Sequence, residues 1–171
     1  AEGFFPALGQ SGRWLFFTSA PIKDEKGEII GDLETLQDVT IRQEAEQSLR
    51  ESEQRSRILA DSMADGLMLI QEGKLIFANH ALNQMLAIDA PEEKIGKSVS
   101  LLFKGVLKRS LNDYIGRLSN GEINETALLQ GPADGKAGEA LWLEIILNPV
   151  LLQGQPAALA TLRDISEVVA Q

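Results

Sequence analysis

The chain has 171 residues, 44% of them hydrophobic and only 5% aromatic, so it can bury a packed and mostly aliphatic core. Its formal net charge of −9 repels phosphate backbones and anionic lipid, which excludes nucleic acid and membrane surfaces as main partners. With no cysteine, disulfides, thiolate metal sites and cysteine nucleophiles are excluded, and a reducing cytoplasm suits the composition.

The length suits one full domain plus extra segments. Residues 13–22 and 28–37 are predicted strands around the polar turn Lys23-Asp24-Glu25-Lys26-Gly27. Thr40-Ile41-Arg42-Gln43 matches a capping box, in which the Thr hydroxyl accepts the Gln43 amide, and a helix is expected to follow. Residues 41–64 hold no Gly or Pro. Glu46–Arg50, Glu51–Arg55 and Glu53–Arg57 are i,i+4 pairs in the better orientation, each worth ~0.3–0.5 kcal/mol. A seam of Ile41, Ala45, Ser48, Ser52, Ser56, Leu59 and Met63 has heptad-like spacing, so this helix is either a solvated connector or one strand of a weak parallel coiled coil.

Gly66 breaks the helical pattern. Leu67–Gln71 and Lys74–Ala78 are a predicted hairpin over Glu72-Gly73, and Asn79 caps a short helix through about Ala87. Pro91-Glu92-Glu93 starts a further helical turn. Helical spacing of Phe103, Val106, Leu107, Leu111, Tyr114, Ile115 and Leu118 predicts a helix over 103–118, ended by Asn120-Gly121. Three strands follow near 122–130, 139–150 and 157–163, with turns at Pro132-Ala133-Asp134-Gly135 and Gln153-Gly154-Gln155-Pro156. Pairing the outer segments gives one antiparallel sheet with helices on one side, an α+β domain.

The chain also repeats itself. Trp14-Leu15 and Pro21-Ile22 recur 128 residues later as Trp142-Leu143 and Pro149-Val150. Thr35-Leu36 and Asp38-Val39-Thr40 recur 126 residues later as Thr161-Leu162 and Asp164-Ile165-Ser166. The expectation is a tandem repeat with only the end of its first unit present, in a chain cut at both ends.

These features together resemble the PAS (S-box) family. The resemblance covers residues 52–166 and, for the last two strands, residues 13–40. It is carried by Lys74-Leu75-Ile76-Phe77-Ala78-Asn79-His80-Ala81, by Glu92-Glu93-Lys94-Ile95-Gly96-Lys97-Ser98, and by Trp142-Leu143-Glu144 with Asn148-Pro149-Val150. Asp164-Ile165-Ser166 and Asp38-Val39-Thr40 resemble the motif that ends the family's last strand and passes signals into an output helix. The resemblance implies a PAS-like five-stranded antiparallel sheet with short helices on one side. It implies an organisation of 1–40 as C-terminal strands of an upstream PAS domain, 41–57 as linker helix, 58–166 as PAS domain and 167–171 as the start of an output helix. EAEQSLRESEQRSR at 44–57 is similar to linkers between tandem PAS domains.

By the same resemblance the parent is a bacterial multidomain sensor, such as a two-component histidine kinase in a phosphorelay or a diguanylate cyclase. It is free to carry membrane anchors elsewhere. The implied partners are a downstream output domain in cis, a second copy joined through the linker helix, and a small apolar ligand. The implied signal-relay residues are Asp38, Val39, Thr40, Asp164, Ile165 and Ser166. Ligand-binding candidates are Asn79, Leu82, Met85, Leu107, Leu111, Tyr114, Leu143 and Ile145, which fill an ordinary core equally well. Tyr114, Asn112 and Asn83 are the nearest polar candidates to orient such a ligand.

No cofactor is named by the residues. The family's covalent flavin chemistry needs a Cys that this chain lacks. Haem-binding members draw their ligand from the long helix before the last three strands, and 103–118 has no His; the single His80 follows the cap Asn79 and is expected to face solvent. One His and no Cys also oppose a zinc site. With no nucleophile–base pair, metal cluster or paired acids, the chain is not expected to be an enzyme. The expectation is a sensory relay module, or alternatively a ligand-free dimerisation and spacer module.

Overall fold

A computed structural model describes residues 1–135 and 138–170. The chain divides into two compact units, Ala1–Ser56 and Arg57–Gln171.

The first unit holds a three-stranded antiparallel sheet of β1 (Glu2–Phe5), β2 (Arg13–Lys23) and β3 (Ile29–Asp38), in the order β1-β2-β3, followed by α1 (Thr40–Asp61), whose residues from Arg57 on fall in the second unit. The predicted β2–β3 hairpin is present. Its turn is tied by Asp24, whose Oδ1 accepts the amides of Lys26 and Glu28 at 2.8 and 2.9 Å. Strand β1 was not expected. It pairs with β2 so that Gly3 lies opposite Leu15 and Phe4 opposite Trp14. The 128-residue offset already contained it: Gly3 stands to Leu15 as Gly131 stands to Leu143.

The predicted capping box does not form. The Thr40 hydroxyl accepts the Trp14 amide at 2.9 Å, and the Gln43 amide goes to the Val39 carbonyl at 2.9 Å. The long-range partner wins because the strand end delivers a part-buried amide donor that needs an acceptor. Helix α1 stops at Asp61, short of the expected 64, where the Ser62 hydroxyl donates to the Leu59 carbonyl at 2.8 Å. Of the three anticipated ion pairs only Glu46–Arg50 is in reach, at 4.0 Å, while Arg42 pairs with Glu2 and Glu46.

The second unit is the expected α+β domain. Its five-stranded antiparallel sheet joins β4 (Gly66–Gln71), β5 (Lys74–Ala78), β6 (Ala127–Asp134), β7 (Ala140–Leu152) and β8 (Gln155–Asp164) in the order β5-β4-β8-β7-β6. Between β5 and β6 lie α2 (His80–Met85), α3 (Pro91–Lys94), a 3-10 turn at Val99–Leu102 and α4 (Gly105–Ser119). A last helical turn, α5, covers Ser166–Val169. Glu72 and Gly73, at φ 50° and 73°, both take the left-handed conformation that the tight β4–β5 turn requires.

Strand β6 runs through Pro132-Ala133-Asp134, which was expected to be a turn, and starts later than predicted. Pro is tolerated because β6 is an edge strand. Helix α4 packs on the sheet beside it: a Cβ at Gly131 would lie 3.1 Å from Leu107.

The two sheets share a register. Leu15 opposes Asp38 as Leu143 opposes Asp164, and Phe17 opposes Leu36 as Ile145 opposes Leu162. Further along the same face, Ser19 opposes Glu34 and Pro21 opposes Asp32, where the second sheet has Leu147 opposite Ala160 and Pro149 opposite Ala158.

Candidate functional site

Alternation along β4, β7 and β8 turns Met68, Ile70, Leu143, Ile145, Leu147, Ala158, Ala160 and Leu162 toward the helices, and all are buried. Helical spacing in α4 brings Leu107, Leu111, Tyr114, Ile115 and Leu118 against them as one cluster. Of the ligand-binding candidates, Leu82, Leu107, Leu111, Tyr114, Leu143 and Ile145 lie in this cluster, and Met85 packs on it half-buried. The Tyr114 hydroxyl donates to the Glu125 carbonyl at 2.7 Å, and its burial raises its pKa. Asn112 is exposed, whereas Asn83 Oδ1 is buried and has no partner among the described residues.

Asn79 lies outside that apolar cluster in role, although it is fully buried. Its Oδ1 accepts the amides of Leu67 at 2.8 Å and Leu82 at 3.0 Å. Its Nδ2 donates to the carbonyls of Ala60 at 2.9 Å and Asp65 at 3.1 Å. One side chain thus caps α2, holds the start of β4 and ties down the end of α1, and both its polar atoms are used. His80, next in sequence, is exposed; its amide donates to Asp61 Oδ1 at 2.8 Å and its ring contacts Gln84 at 2.8 Å.

The six relay candidates form two copies of one latch. At the end of β8, Asp164 Oδ1 accepts the Ser166 amide at 2.9 Å and also the Ser166 hydroxyl proton. That orients the hydroxyl to accept the Trp142 amide at 2.8 Å, while the Ile165 amide donates to the Trp142 carbonyl at 2.8 Å. At the end of β3, Asp38 Oδ1 accepts the Thr40 amide at 2.9 Å, Thr40 Oγ1 accepts the Trp14 amide at 2.9 Å, and the Val39 amide donates to the Trp14 carbonyl at 2.9 Å. The Thr40 side-chain and backbone hydrogen bonds hold the Asp38 carboxyl below its usual range, helped by Arg13 at 3.4 Å. Each latch joins the last strand of a sheet to the first turn of a helix.

A family model described as PAS domain matches residues 64–167, more than half of the chain. The chain belongs to the PAS domain family. The fold agrees: the PAS domain of an HTR-like protein from Haloarcula marismortui is 21% identical, covers 72% of this chain and 99% of its own, and superposes with a TM-score of 0.60. A PAS domain from a two-component sensor histidine kinase is 12% identical over 67% of this chain and 97% of its own, at 0.52. A PAS domain from Colwellia psychrerythraea is 19% identical over 67% and 97%, at 0.51. No curated protein matches the chain. Among the described residues no helix is long and apolar enough to cross a membrane.

The PAS domain also contains a pair that the sequence reading missed. Arg163 Nη2 and Nε donate to Asp65 Oδ2 and Oδ1 at 2.7 and 3.2 Å. This hydrogen bond, more than the charge of Arg163, lowers the Asp65 pKa. The partners are 98 residues apart and no local pattern links them.

Proposed function

We propose that this chain is a signal-relay module: its PAS domain takes a conformational change in at α1, or from a bound molecule or partner, and hands it on through α5 to a downstream output domain. The observation that carries this reading is the duplicated latch. Identical hydrogen bonds at the ends of β3 and β8 fix how each following helix leaves its sheet. A change at the strand end must then be felt by the helix, because its first turn shares the Asp and hydroxyl groups with the strand.

On this reading residues 1–40 are the C-terminal strands of an upstream PAS domain, 41–57 the linker helix, 58–166 the PAS domain and 167–171 the start of the output helix. The shared register of β1-β2-β3 with β6-β7-β8 supports that assignment. A bacterial sensor, such as a histidine kinase or a nucleotide cyclase, is the parent that suits such a module, and the exposed Ile41 and Leu59 on α1, with Met63 just beyond it, suit pairing with a second copy.

A ligand-free spacer is the second reading. It is favoured by the interior, where the apolar candidates pack on one another and the polar atoms of Asn79 and Tyr114 are already bonded. The test is native mass spectrometry of the purified chain against its denatured mass, with output of the intact signalling protein measured for D164A. Extra mass lost on denaturation selects ligand sensing, and unchanged mass selects the spacer. Normal output from D164A would overturn the relay itself.

A further inference from the structure

The entry and exit of the PAS domain are joined by a short bridge of side chains. The last turn of α1 presents the Ala60 carbonyl and the Asp61 carboxylate. Asn79 Nδ2 holds that carbonyl at 2.9 Å and, with its other proton, the Asp65 carbonyl at 3.1 Å. The His80 amide holds Asp61 at 2.8 Å. Asp65 is therefore fixed by its backbone to the same amide group that grips the helix end. Its side chain reaches across to β8, where Arg163 meets both carboxylate oxygens, at 2.7 and 3.2 Å.

Two parallel N–H···O bonds give this pair an orientation as well as an attraction. Arg163 is the residue before Asp164, the first residue of the exit latch. Every step from the Ala60 carbonyl to the Ser166 hydroxyl is thus a hydrogen bond or a short stretch of backbone, and Asn79 alone of its members was a candidate to touch a ligand. In the first copy the 126-residue offset places Gln37 where Arg163 stands, so this bridge is not part of the repeated frame.

We propose that Asp65 and Arg163 are positioning residues that couple the end of α1 directly to the exit latch, so that the PAS domain transmits helix motion with its interior unchanged. This rests on the reading of Asp164-Ile165-Ser166 as the relay junction. The bridge supplies a route for a signal arriving from upstream, whether or not a molecule occupies the domain.

The test is residue-resolved amide hydrogen exchange by NMR on the 171-residue chain, for D65N, R163Q and the double variant. R163Q, made at the exit, is expected to speed exchange at the His80 amide and the Asn79 side-chain amide by about two- to fivefold, the range of a solvent-facing ion pair. D65N, made at the entry, is expected to do the same at the Ile165 and Ser166 amides. The double variant should match a single one. Unchanged exchange at the remote end, or effects that add in the double variant, would overturn the coupling. If either single variant unfolds, the reversed pair D65R/R163D must restore native exchange at both ends, and failure to restore it also overturns the proposal. Coupled exchange together with normal output from D164A in the intact protein would leave the bridge standing and remove the relay reading instead.

Discussion

The backbone amide of Trp142 donates to the side-chain hydroxyl of Ser166 at 2.8 Å, across the end of β7 and into the first turn of α5. The hydroxyl can accept because its own proton is held by Asp164. S166A would remove the acceptor and leave the Trp142 amide to water. The expected loss is about 0.5–1.5 kcal/mol in urea unfolding. S166T should retain full stability, since the first copy builds the same contact from Thr40. Equal losses for S166A and S166T would show that the hydroxyl does not serve as the acceptor.

Asn79 is a harsher case. N79A would orphan the Leu67 and Leu82 amides and the Ala60 and Asp65 carbonyls at once. With ~1–3 kcal/mol for each buried group left unpaired, and water reaching some of them, a loss of about 3 kcal/mol or more is expected by denaturant unfolding. A loss below 1 kcal/mol, judged against the ~1 kcal/mol typical of an ordinary helix cap, would show that Asn79 is only a cap of α2.

The carboxylates give a pH dependence with a definite sign. Asp38 and Asp65 have folded-state pKa values below the ordinary 3.8, so their contribution is complete above 3.8 and is lost as pH falls through the lower folded values. Carboxyl NMR titration should place both midpoints under 3.8. T40V should raise the Asp38 midpoint more than R13Q does, because hydrogen bonds from Thr40 outweigh the charge of Arg13. A larger effect from R13Q would reverse that ranking. R163Q should raise the Asp65 midpoint and leave Asp38 where it is.

Leu59 and Met63 stand 63% and 44% exposed at the end of α1 and just beyond it, positions that a solvated helix would fill with polar residues. If a second copy covers them, L59E should convert a dimer to a monomer in light scattering at micromolar concentration, with little change in the stability of the monomer fold. A dimer that persists in L59E would place the contact elsewhere.

Much of this was legible in the residues, and the failures share a cause. The two apolar segments Leu67–Gln71 and Lys74–Ala78 around Glu72-Gly73 and the helical spacing from Phe103 to Leu118 are local signals, so the hairpin and α4 could be read directly. The Asp-aliphatic-hydroxyl triplets stood out because they occur twice. The capping box at Thr40 failed because its competitor, the Trp14 amide, lies 26 residues away. The Asp65–Arg163 pair was invisible for the same reason at greater distance. Strand β1 was missed because four residues carry too weak a pattern, although the repeat offset would have located it. Pro132 reads as a turn signal in the sequence because the sequence does not mark which strand is an edge.

The latch draws on a Trp backbone, one carboxylate, one hydroxyl and the two backbone amides that follow the Asp. Nothing in it depends on the residues further along the same sheet face, where Ser19, Glu34 and Asp32 in one copy stand for Leu147, Ala160 and Ala158 in the other. The fitting at the strand end and the sheet face beyond it are therefore built from separate residues. A change of Leu to Ser or Ala to Glu on that face leaves the strand-end groups in place, so the helix still departs in the same way, and one frame carries sheet faces of different chemistry.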